Sequence, residues 1–125
     1  MQGSSGLTVH SKAIDLVAVV YGITEHFPKH ELFGLTSQLR RAVVSVPANI
    51  AEGQARIHRR EFLHHLSMAR GSLAEVETLL LVAVRLNYVQ SDDLRTVHVQ
   101  AKEVARMLAG LIRSLDGESR PLHAR

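Results

Sequence analysis

Apolar residues recur at intervals of three and four through most of this chain, and in places there are more of them than one helix face can hold. From Leu94 to Leu115 the repeat is cleanest: Leu94, Val97, Ala101, Val104, Leu108, Leu111 and Leu115 share one stripe, while Arg95, Lys102, Arg106 and Arg113 point elsewhere. Only three prolines and eight glycines interrupt the 125 residues, and the valine-rich runs lie among Ala, Leu, Arg and Glu rather than between turn clusters. Both features favour helix over strand.

Three further helical segments precede that one. The first runs from roughly Thr8 to His26, with Ala13, Ile14, Val17, Val20, Tyr21 and Thr24 as its stripe and Leu16, Val19 and Ile23 apolar beside it. Phe27-Pro28-Lys29 ends it, because the residue before a proline is pushed out of the helical region. The second starts at Leu35, with Thr36 or Ser37 as N-cap, and buries Leu39, Ala42, Val43, Val46 and Ile50. The third runs from His58 or Arg59 to Asn87 along Phe62, Leu66, Ala69, Leu73, Val76, Leu80 and Ala83, with Leu79, Leu81, Val82 and Val84 in surplus. Ser91 caps the fourth helix, and Asp92 and Asp93 complement the positive end of its dipole.

Helices of this length on short loops predict an all-α, antiparallel up-and-down four-helix bundle over residues 7–115, with a flexible leader (1–6) and a flexible tail (116–125). The surplus apolar faces of the first and third helices need a cover, so the chain is expected to form a homo-oligomer.

Composition narrows the function. With no cysteine, disulfides, thiolate metal sites and cysteine nucleophiles are excluded, and a reducing cytoplasm suits the chain. The most apolar early run, LVAVVYGI from Leu16 to Ile23, is far shorter than the roughly 20 residues that span a bilayer, so no membrane association is expected. A net charge of +3 permits contact with nucleic acid without requiring it.

The stretch VSVPANIAEG, Val44 to Gly53, places a proline inside the second helix. Pro47 has no N–H to donate, and its ring crowds the carbonyl of Val43, so a kink is expected there at a cost of about 3 kcal/mol or more. Asn49 falls on the inward seam, where its amide must find partners, and Glu52 stands four residues before Arg56.

The segment FPKHELFGLTSQLRRAVVSVPANIAEG, then Arg60-Glu61-Phe62 and ARGSLAEVET from Ala69 to Thr78, resembles a bacterial family of small four-helix-bundle proteins. These are encoded by open reading frames in intervening sequences of large-subunit ribosomal RNA genes, and are sometimes labelled ribosomal protein S23. The resemblance covers roughly Leu7 to Leu115, and His10 departs from it, standing where the family more often carries an aromatic residue, typically tryptophan. The family is similar in fold to accessory proteins of diversity-generating retroelements, which assemble as five-fold rings and bind nucleic acid. The resemblance therefore implies a ring-like homo-oligomer, a pentamer.

No catalytic, cofactor or metal site is expected. His26 and His30 have the spacing of a helical metal pair, but Pro28 breaks the helix between them. No serine sits in an activating motif, and the isolated glycines form no phosphate loop. Gly71 and Ser72 read as a place where helices approach closely, and His64 and His65 as surface or partly buried histidines. Glu75 and Glu77 diverge by about 200° on a helix and cannot flank one bond. With Arg40, Arg41, Asn49 and Glu52 they are expected to form polar networks inside the bundle or between subunits.

Arg56, Arg59 and Arg60 are the candidate contacts for nucleic-acid phosphates. The expected function is a non-enzymatic, sequence-independent RNA or DNA binding module. The alternative is a scaffold or adaptor for another protein, with no role for nucleic acid.

Overall fold

The computed structural model of the chain describes residues 2–119, and four helices account for most of them. They are α1 (Gln2–Thr24), α2 (Leu35–Gln54), α3 (Arg59–Arg85) and α4 (Ser91–Ser119), with a single 3-10 turn at Lys29–Glu31. No strand occurs among the described residues. Of the stretches expected as leader and tail, residue 1 and residues 120–125 lie outside the described residues, while residues 2–6 open α1 and 116–119 close α4.

The helix ends follow local chemistry. After α1, the bonds from the Glu25, His26 and Phe27 amides to the Tyr21, Ile23 and Thr24 carbonyls tighten the chain into the turn before Pro28. At the end of α3, Asn87 adopts a left-handed conformation (φ 64°), which a short polar side chain tolerates. The Tyr88 amide then reaches the Ala83 carbonyl and the Asn87 amide reaches Val84, both at 2.9 Å, closing α3 as a Schellman motif. At the start of α2 the expected caps are not used: Thr36 is buried inside the helix, and the Glu31 carboxylate accepts from the Leu35 amide at 3.0 Å instead.

Each helix packs on its neighbours in sequence, and α4 closes back on α1. One apolar core fills the space between them. The stripes read for α2, α3 and α4 lie in that core apart from Phe62 and Leu94, which are partly buried against it. On α1 the buried set is Val9, Ala13, Leu16, Val20 and Thr24, whereas Ile14 and Tyr21 are exposed. α1 carries two overlapping apolar stripes, and the one through Leu16 faces the core. The surplus remains uncovered at Ile14, Tyr21, Leu81 and Val82, joined by Leu32, Phe33 and Val44.

Two glycines contrast. A Cβ on Gly53 would lie 2.8 Å from Phe62 Cδ1 and 2.9 Å from His65 Cβ, so bare backbone is what lets α2 and α3 meet at this end. Gly71, expected to mark a close approach, faces open space: a Cβ there meets nothing within 4 Å. The Gly53→Ala variant is expected to lose about 1–3 kcal/mol through overpacking. Gly22→Ala, at an exposed α1 position where a Cβ also meets nothing, is expected to gain about 0.5–1 kcal/mol. Urea unfolding midpoints of the two variants test both signs.

Candidate nucleic-acid interface

The loop between α2 and α3 comprises residues 55–58. Its fold is tight, with the Ala55 amide bonded to the Ala51 carbonyl at 3.2 Å and the Arg56 amide to Gly53 at 3.1 Å. Arg56 leaves this turn, and Arg59 and Arg60 occupy the first turn of α3; all three are exposed. Ile57 between them is 91% exposed. The cap residue His58 makes no side-chain cap bond, so the positive end of the α3 dipole adds to the field of the three guanidinium groups. Two carboxylates temper that field: Glu52 lies 3.8 Å from Arg56, and Glu61 sits in the same first turn.

Beneath the loop a polar chain links α2 to α3. Asn49, 9% exposed, donates from Nδ2 to the Ser45 carbonyl at 2.9 Å, and its Oδ1 accepts from His65 Nδ1 at 3.1 Å. The same His65 nitrogen lies 3.7 Å from Glu52, which in turn faces Arg56. One turn back, Ser45 donates to the Ala42 carbonyl at 2.8 Å and pairs with the Ser72 hydroxyl of α3. His65 thus joins Asn49 to Glu52. Its partners come from another helix, so nothing in its local spacing announces it.

The other residues expected in polar networks are distributed elsewhere. Arg40 bolts α2 to the end of α1: its Nε donates to Thr24 Oγ1 at 2.8 Å, and its guanidinium stacks 4.5 Å from the centre of the Tyr21 ring. Glu25 is a looser partner at 3.9 Å. Glu77 accepts from His98 Nδ1 of α4 at 2.7 Å. Arg41 and Glu75 are exposed and have no ion-pair partner among the described residues.

A further polar centre was not read from the sequence. Glu31, which caps α2 with one oxygen, accepts from the Tyr88 hydroxyl at 2.9 Å with the other. Phe27 packs on Tyr88 with ring centres 5.6 Å apart. The bond from the Leu35 amide, then that from Tyr88, holds the Glu31 carboxyl below the usual carboxylate range. The same contact pushes the Tyr88 phenol up. The available signal was the position of Glu31 four residues before Leu35, just outside the start of the helix.

Among the described residues no group of three or more His, Asp or Glu side chains converges on a point that would hold a metal ion. Among the described residues no helix is long and apolar enough to cross a membrane.

Comparison with known proteins adds a family match and several structural ones. A family model described as 23S rRNA-intervening sequence protein matches residues 5–110. The crystal structure of a protein of unknown function from the S23 ribosomal protein family of Bacteroides thetaiotaomicron aligns at 20% sequence identity with a TM-score of 0.81, covering 87% of this chain and 98% of that one. At that identity the likeness establishes the fold alone. No curated protein matches.

Glu31 provides a pH test. Its folded-state pKa is depressed, so its bonds contribute stability above the unfolded-state pKa, and the contribution is lost as pH falls through the folded value. The thermal midpoint of the native chain is expected to fall from about pH 5 downward. Glu31→Gln, which keeps an acceptor but removes the charge, is expected to show a flatter decline over that window. Equal slopes for the two proteins would show that the cap and the Tyr88 contact carry no charge-dependent stability.

Proposed function

Because the chain belongs to the 23S rRNA-intervening sequence protein family, we propose that it is a non-enzymatic, oligomeric module that binds RNA or DNA through phosphates, without reading bases. The observation that carries this reading is the exposed cluster of Arg56, Arg59 and Arg60 at one end of the helix assembly. Phosphate contacts need mobile or outward-facing cations and no pocket, and such a surface offers them. Sequence-specific RNA recognition favours aromatic stacking platforms, and the chain has only five aromatic residues, none of them between Arg56 and Arg60. The ribosomal RNA setting in the family name agrees with RNA as the natural ligand.

In this reading the four helices run antiparallel, up and down, with α2 bent near Pro47. The pairs Ser45 with Ser72 and Asn49 with His65 support it, since rising numbers on α2 meet falling numbers on α3. A bend follows from the bond that Pro47 cannot make to the Val43 carbonyl. The module is a cytoplasmic homo-oligomeric ring. Uncovered Ile14, Tyr21, Leu81 and Val82 support association, and five subunits follow from the resemblance to ring-forming proteins. Repetition matters for function: a patch of three arginines is weak alone, and each further copy held in reach of the same strand raises the avidity.

A second reading, an adaptor for another protein, has the exposed apolar side chains around Phe33 in its favour. A salt titration separates the two. Binding to a mixed RNA and DNA pool is expected to weaken linearly in log salt, by about 0.9 per phosphate neutralised on duplex DNA and about 0.7 on single strands. Reversing Arg59 and Arg60 to glutamate is expected to reduce the single-strand slope by about 1.4 per subunit in contact, with oligomeric mass unchanged. No binding by the native chain at low salt transfers the case to the adaptor.

A further inference from the structure

An open groove of about 720 Å³ runs along the outer side of α2 where it meets α1 and the turn before it. Its apolar lining includes Tyr21, Leu32, Phe33 and Val44, and its rim carries Arg40 and Arg41. Phe33 is 93% exposed, an unusual state for a phenylalanine unless something covers it. Arg40 is already engaged by Thr24 and Tyr21, whereas Arg41 faces solvent with no acid within reach among the described residues.

The outer face of α3 has matching features. Met68, Glu75 and Val82 stand at intervals of seven, so they line one stripe, which Leu86 extends; all four are exposed. Gly71, Ala74 and Thr78 are exposed alongside, so the stripe is low as well as apolar. Glu75 is the acid at its middle, and it too lacks an ion-pair partner among the described residues. A groove with one unanswered cation and a ridge with one unanswered anion therefore occur on the same chain.

We infer that the groove receives the α3 stripe of a second copy of this chain, with Arg41 of one subunit paired to Glu75 of the next and Phe33 packed over the low surface around Gly71. The contact joins two different patches, so it is heterologous and leaves each subunit with one free groove and one free stripe. Such an interface propagates head to tail and closes into a ring when its rotation allows. This inference rests on the ring assembly proposed above and adds the surface that builds it. It also leaves Arg56, Arg59 and Arg60 outside the interface.

The test is light scattering of the full chain with Arg41→Glu, Glu75→Arg and the two combined, with circular dichroism to show that helix content is kept. The native chain is expected to run well above 13.8 kDa, and each single variant is expected to weaken association at least tenfold. The combined variant is expected to restore it. Mixing the two single variants separates a pair between chains from a pair within one. In the mixture the groove of the Arg41→Glu variant meets the stripe of the Glu75→Arg variant with opposite charges again, and association is expected to recover substantially; an intramolecular pair would gain nothing from mixing. A native chain at 13.8 kDa overturns the ring reading and this inference together. An oligomeric native chain whose single variants remain fully assembled overturns this interface alone and leaves the ring reading standing.

Discussion

A carboxamide buried between two helices must be answered on both its oxygen and its nitrogen, or the helices are destabilised by about 1–3 kcal/mol. Asn49 is answered by the Ser45 carbonyl on its own helix and by His65 on α3. Much else at this end of the molecule depends on that bridge. It sets the register in which Gly53 slides against Phe62 and His65, where an added methyl group would not fit. With that register set, the chain has only residues 55–58 in which to turn, and Arg56, Arg59 and Arg60 project from the turn and the first turn of α3. A packing constraint in the middle of α2 thereby determines where the positive charge of the loop stands.

The same bridge explains how a proline is accommodated in α2. Pro47 is buried and removes one backbone bond, yet the helix continues to Gln54. Polar side chains on both sides of it, Ser45 and Asn49, bond to carbonyls of their own helix and also reach α3. The interruption thus lies within the zone where α2 is held most firmly from outside, and tertiary contact offsets what the local backbone lacks.

The four helices were legible because their core stripes are long and regular, as on α4, where Val97, Ala101, Val104, Leu108, Leu111 and Leu115 are all buried. Where two stripes overlap, periodicity cannot choose between them: on α1 it favoured Ile14 and Tyr21, and the core took Leu16. Partners distant in sequence were the least legible. The capping of α2 by Glu31, shared with Tyr88, and the hold of Arg40 on Thr24 join residues 16 to 57 positions apart. Spacing carries no information about such pairs, because the fold brings them together. The exposed arginines were visible as a charge run, and their outward projection depends on the turn that Gly53 permits.

Nucleic acid bound as proposed lies against the α2–α3 loop. Ultraviolet crosslinking of the native chain to a single-stranded RNA containing 4-thiouridine, with mapping of the modified peptides, tests that placement directly. Crosslinks concentrated between residues 55 and 64 are the predicted result. Crosslinks confined to the groove around Phe33 and Val44, or none at low salt, would contradict it.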